Sequence, residues 1–202
     1  MLLDPASPVR KHYAALAENL LSLEERVRSL VITSPEPGAG CSSVCIGLGA
    51  ALAAMGKRVA VVDCNLDRPN LHRMLGEPNF IGLTSALQSG RALENYGHEL
   101  VPGLLAVPTG PVSSDPATRI ETDKFVETVR GIGTHRDLII LDAPVAERVL
   151  DSPTLSTRFD GVLLVIHAAR TSKTTAREVT DDLLDARINL LGVVLNGAGE
   201  SA

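Results

Sequence analysis

Five short apolar runs recur along the 202-residue chain, each bounded by charged or turn-forming residues. They are Leu30 to Thr33, Arg58 to Asp63, Asp137 to Asp142, Phe159 to His167 and Leu190 to Asn196. Two stretches between them read as helices. Cys41 to Met55 is rich in Ala and Leu and stops at Gly56; Lys173 to Arg187 places Val179, Leu183 and Leu184 on one side. Continuous apolar strands alternating with helices predict an α/β fold, a single domain with a mostly parallel central sheet and helices on both faces. In such sheets function gathers beyond the carboxyl ends of the strands. Cys41, Asp63, Asp142 and Asn196 all fall at or just past such ends, so they are expected to converge on one crevice. The domain is expected to span residues 1–202, with residues 1–27 forming a helical segment packed on it and 197–202 a flexible end. Within 1–27, Tyr13, Leu16, Leu20 and Leu23 fall near helical spacing; core packing is the favoured reading, a partner-binding face the alternative.

Between the first run and the first helix lies Ser34-Pro-Glu-Pro-Gly-Ala-Gly-Cys-Ser-Ser43. A phosphate-binding loop reads G-x-x-x-x-G-K-[ST]: backbone N–H groups cradle phosphates, the Lys reaches the β- and γ-phosphates, and the hydroxyl holds Mg²⁺. Gly38, Gly40, Ser42 and Ser43 keep the loop and its hydroxyls, but Cys41 stands where the Lys belongs. Strand, Gly-rich turn and helix is the context the motif requires, and the helix N-terminus adds a positive dipole end. The candidate nucleotide-binding residues are therefore Gly38, Ala39, Gly40, Cys41, Ser42 and Ser43. Losing one charge-assisted hydrogen bond to phosphate weakens binding by roughly ten- to two-hundred-fold. Catalysis suffers more, because one such donor is worth about 10²–10³ in rate. Glu36 is expected to add negative charge where phosphates approach; Arg68, Arg170 and Lys173 are candidates for a rescuing cation.

Bulk properties narrow the classes. A net charge of −5 offers no basic footprint for nucleic acid. No apolar run approaches the roughly 20 residues of a membrane span, and no stretch reads as a signal peptide. Three cysteines without C-x-x-C spacing suggest reduced thiols in the cytoplasm. A thiol at a helix N-terminus can be activated, so Cys41 together with Cys45 and Cys64 raises a redox or metal site as an idea; a small residue tolerated in place of Lys is favoured over it.

These motifs resemble the cytoplasmic domain of the bacterial tyrosine kinases (BY-kinases, CpsD/CapB-like) of capsule and exopolysaccharide synthesis, within the MinD/ParA group of deviant P-loop ATPases. Val31 to Gly40 is similar to the family's strand and P-loop, and Gly56 to His72 to its second Walker-type motif. Gly82 to Gly90, Asp142-Ala-Pro144, Asp151 and Gly192 to Asn196 also fit. The resemblance implies Asp63 as the base orienting an attacking hydroxyl and Asp142 as the Walker B acid. It further implies Ser42, Asp63 and Asp142 around Mg²⁺, and Asn196 at the adenine. The plainer readings are strand-end caps for the two acids, a helix cap for Ser42 and a turn for Asn196.

The departures point the other way. Cys41 replaces the P-loop Lys, Glu36 takes the place of the MinD/ParA signature Lys, and Asn65 and Asp67 replace the later Asp and the Arg of D-x-D-x-R. Lys11, Ala14 and Ala17 fall where the kinases carry the E-x-x-R-x-x-R motif of ring assembly, and the only tyrosines are Tyr13 and Tyr96. The resemblance thus implies a degenerate member, a pseudokinase acting as a regulator or scaffold with weak or no binding of ATP or ADP with Mg²⁺. Its implied partners are a Wzz-like membrane chain-length regulator or a competent kinase paralogue, with no nucleic acid. It would lie in the cytoplasm, meet the inner face of the plasma membrane only through a partner, and form an oligomer unlike the kinase ring. An active kinase or ATPase with a displaced cation is the alternative, and a MinD/ParA-like positioning ATPase a further one.

Overall fold

Apolar runs with no polar alternation are expected to be covered on both faces; the runs inside the sheet are, while the edge run Leu190 to Asn196 leaves Val193 and Leu195 exposed. In the computed structural model, which describes residues 4, 7–23, 27–112, 120 and 122–198, seven strands form one sheet. These are β1 (Ser29–Thr33), β2 (Val59–Asp63), β3 (His98–Val101), β4 (Leu104–Val107), β5 (Leu138–Asp142), β6 (Gly161–His167) and β7 (Leu190–Asn196). Their order is β3-β4-β2-β5-β1-β6-β7. All neighbours are parallel except β3 and β4. Every residue of β2 and β5 is buried, which explains why they read as unbroken apolar runs; β4 is equally buried.

Eight helices are described: α1 (Arg10–Leu21), α2 (Cys41–Ala54), α3 (Leu71–Leu75), α4 (Leu83–Ser89), α5 (Asp123–Ile132), α6 (Ala146–Leu150), α7 (Pro153–Thr157) and α8 (Lys173–Asp185). One face of the sheet packs against α1 and α2 through Ala17, Leu20, Val44, Leu48 and Leu52. The other packs against α4 to α8, with Phe125 and Leu183 fully buried there. On α1, Leu20 is buried and Tyr13 and Leu16 pack partly, whereas Leu23 lies beyond the helix end and is exposed. Tyr13 lies flat over Gly47 of α2, where a Cβ would collide with its ring.

Two expectations change. The β3–β4 hairpin was not predicted, because its strands are short and β3 is half polar; Pro102-Gly103, with Gly103 at φ 90°, makes the turn. On α8, Leu183 is fully buried but Leu184 is 53% exposed, since consecutive helical residues point about 100° apart. The end expected at 197–202 lies, from residue 199 onward, outside the described residues.

Candidate functional site

The loop from Ser34 to Ser43 joins β1 to α2. Gly38 and Gly40 sit at φ 83° and 96°, left-handed values that glycine alone adopts freely. This curls the backbone so that the first N–H groups of α2 open onto a cleft of about 710 Å³. Gly38, Ala39, Gly40, Cys41, Ser42, Ser43 and Asp142 all line it. Arg68, Arg73 and Arg148 line it as well.

Asp63 and Asn196 do not line this cleft, so the expected convergence of four strand-end residues holds for two. The reason is local hydrogen bonding. Asn196 Nδ2 donates to the Ala39 carbonyl at 2.8 Å, and a Cβ on Gly40 would overlap that amide. Asn196 therefore braces the loop. Asp63 is completely buried beside Asp142 in the β2–β5 register. Its Oδ1 accepts the Asn65 N–H at 3.0 Å, and its Oδ2 accepts those of Asn70 and Leu71, both at 3.0 Å. Both oxygens are committed to holding the segment after β2.

Glu36 is also placed differently from expectation. Its carboxylate turns to the Thr171 hydroxyl, which donates at 2.7 Å, and it is not part of the cleft lining. Among the rescuing cations considered, only Arg68 lines the cleft. Arg170 donates to the Gly38 carbonyl at 3.4 Å, and Lys173 opens α8 outside the lining. Arg148 was missed: a lone Arg in a five-residue helix gives no sequence signal.

The electrostatics follow from burial. Asp142 is pushed up to about 8 by burial and by the Asp63 charge, against smaller opposing hydrogen bonds from Ser42 and Cys45. Burial raises Asp63 as well, opposed by the three N–H donors that stabilise its ionised form. Burial pushes the Cys41 thiol up to about 12; a Ser34 hydrogen bond opposes this and Asp142 adds to it. Cys45 and Cys64 are also driven well upward by burial. Burial thus runs against the activated-thiol idea for all three cysteines. No group of three or more potential metal-ligating His, Cys, Asp or Glu side chains occurs among the described residues.

A magnesium ion is still compatible with part of the predicted set. Ser42 bonds to Asp142, whose buried Oδ2 has no hydrogen-bond partner, and both line the cleft. Hard oxygen donors of this kind suit Mg²⁺. Asp63, with both oxygens occupied, does not join them.

The Asp142 shift has a stability consequence. Its folded value near 8 lies above the unfolded 3.8. Between these values the unfolded chain has released a proton that the folded chain keeps, so stability is full below the lower value and declines as pH rises toward 8. Asp142→Asn, which imitates the protonated acid, is expected to flatten this decline and to melt higher than the native chain at pH 8. Thermal unfolding across pH 5 to 8 checks it; parallel curves for the two proteins would assign the slope elsewhere.

A mostly parallel sheet, a glycine-rich loop leading into a long helix and an acid on the adjacent strand together define a P-loop nucleotide-binding domain. The chain belongs to the CobQ/CobB/MinD/ParA nucleotide binding domain family, whose profile matches residues 30–202. It is 33% identical over 168 residues to the putative tyrosine-protein kinase EpsB of Ralstonia solanacearum, covering 83% of this chain. The match spans only 22% of EpsB. Among solved structures, the chimerical protein CapA2B2 superposes with a TM-score of 0.88 at 26% identity, covering 98% of this chain and 88% of that one. The septum site-determining protein MinD of Pyrococcus horikoshii, solved with Mg-ADP, gives a TM-score of 0.67 at 26% identity, covering 86% and 72%. No helix among the described residues is long and apolar enough to cross a membrane.

Proposed function

We propose that this chain is a BY-kinase-like regulatory or scaffold protein of exopolysaccharide or capsule biosynthesis and export, a pseudokinase that keeps a weak site for ATP or ADP with Mg²⁺. The observation that carries this reading is Cys41. A thiol that burial keeps protonated stands at the lysine position of the glycine-rich loop, close to the Asp142 carboxyl. Efficient transfer needs charge stabilisation that a thiol does not supply. Similarity to a tyrosine kinase and to a MinD solved with Mg-ADP supports the kinase frame and the nucleotide class. The arginines on the cleft favour a second reading, an active protein-tyrosine kinase or ATPase with a displaced cation.

On the first reading the protein works by binding a competent kinase paralogue, or the cytoplasmic ends of a Wzz-like chain-length regulator, at the inner face of the plasma membrane. Two measurements together test it. Radiolabelled ATP at millimolar concentration is expected to give no transfer to either partner, while affinity capture retains at least one of them. Transfer would favour the second reading; capture of neither partner would remove the first.

A further inference from the structure

We propose that Arg148 supplies the phosphate-facing charge that the loop lacks at Cys41. This rests on the reading of the cleft as a nucleotide site and names the group that would hold the phosphates there.

Three observations converge on Arg148. First, the segment carrying it is stitched to the entry of the phosphate loop. The Thr33 hydroxyl donates to the Pro144 carbonyl at 2.5 Å, Ala143 N–H to the Ile32 carbonyl at 2.9 Å, and Ala146 N–H to the Ser34 carbonyl at 2.8 Å. Arg148 follows two residues later on α6 and lines the same cleft as Gly38 to Ser43. Second, its guanidinium is held only loosely. Its Nε lies 3.5 Å from Asp67 Oδ2, with the two side chains 57% and 48% exposed. An exposed pair of this kind contributes little, so exchanging the carboxylate for a phosphate costs little. A guanidinium also matches phosphate oxygens with paired donors. Third, the site is more than a helix end. Asp142 is 1% exposed, lines the cleft and leaves Oδ2 without a hydrogen-bond partner, an arrangement suited to a cation carried in with a polyphosphate.

Arg68 and Arg73 line the cleft too, but neither has a side-chain partner among the described residues that holds it there. Arg148 stands apart in following the segment bonded to the loop entry, with the Asp67 carboxylate loosely beside it. On this account Asp67 competes with the ligand, so removing each member of the pair should have opposite effects.

Calorimetric titration of the full chain with Mg·ADP and Mg·ATP tests this, using Arg148→Ala, Arg148→Lys and Asp67→Ala beside the native protein. Arg148→Ala is expected to lower affinity about ten- to a hundredfold. Arg148→Lys should recover part of the loss, and Asp67→Ala should bind a few-fold more tightly than native. Melting temperatures close to native would show that the variants fold, as expected for exposed side chains. Native binding that Arg148→Ala leaves unchanged would overturn the role of Arg148 alone. No binding by the native chain at millimolar nucleotide would overturn both this role and the nucleotide reading of the cleft.

Discussion

Cys41→Lys is expected to bind Mg·ATP roughly ten- to two-hundred-fold more tightly than the native chain, the value of one charge-assisted hydrogen bond to phosphate. The rest of the loop is in place: Gly38 and Gly40 already hold the left-handed turn, and α2 already begins at residue 41. The new ammonium would also stand beside Asp142, whose interaction with the thiol shows how near the two groups are. A positive neighbour favours the ionised acid, so the Asp142 pKa should fall from about 8 and leave the carboxylate charged at neutral pH. Tighter nucleotide binding and a flatter pH–stability profile are therefore expected together. Calorimetry with Mg·ATP checks the first, and thermal unfolding across pH 5 to 8 the second. If Arg148 already supplies the phosphate charge, the gain from Cys41→Lys should be larger in an Arg148→Ala background. A double-mutant cycle measures that coupling. An unchanged affinity in both backgrounds would mean that phosphate does not sit against residue 41.

The second large effect concerns the neighbouring acid and stability. Asp63→Ala is expected to cost about 3 kcal/mol or more, because it strips the acceptor from the N–H groups of Asn65, Asn70 and Leu71 at once. The Leu71 bond is buried, so water cannot readily replace it. For a chain of this size the loss corresponds to a fall in Tm of roughly 6–12 °C. Asp142→Asn, one strand away in register, is expected to move stability in the opposite direction at pH 8. Thermal denaturation of the two variants side by side tests the contrast. A small effect of Asp63→Ala would mean that the segment after β2 is held by something other than this carboxylate. The expected loss also bears on function: inactivity of Asp63→Ala in any transfer assay is interpretable only where the variant is shown to be folded.

How far the sequence was legible depended on the range of the interaction involved. Five of the seven strands were readable as apolar runs; β1, β2, β5 and β6 are so written because the sheet buries them, whereas the edge strand β7 keeps its apolar run although Val193 and Leu195 are exposed. The phosphate loop was readable because its glycines meet a backbone requirement that holds in any context. The β3–β4 hairpin was harder, since β3 is largely solvent-facing and β4, though apolar and buried, is only four residues long. Leu184 was misassigned because one residue's rotation on a helix separates core from solvent, and apolar spacing alone does not resolve that boundary.

The sequence by itself determined the fold class, the position of the loop and the absence of its lysine, because these depend on local periodicity and on residue chemistry at fixed spacing. Tertiary structure alone decided which groups meet. Asp63 turns its carboxylate to three N–H groups because the chain folds back over it at Asn70 and Leu71. Glu36 leaves the cleft because Thr171, 135 positions away, offers it a hydroxyl. Arg148 reaches the cleft because Ala146 is bonded to Ser34 across the β1–β5 junction. Charges and hydrogen bonds act through space over a few ångströms. The partners they join are distant in the chain, so only the packed sheet could bring them together.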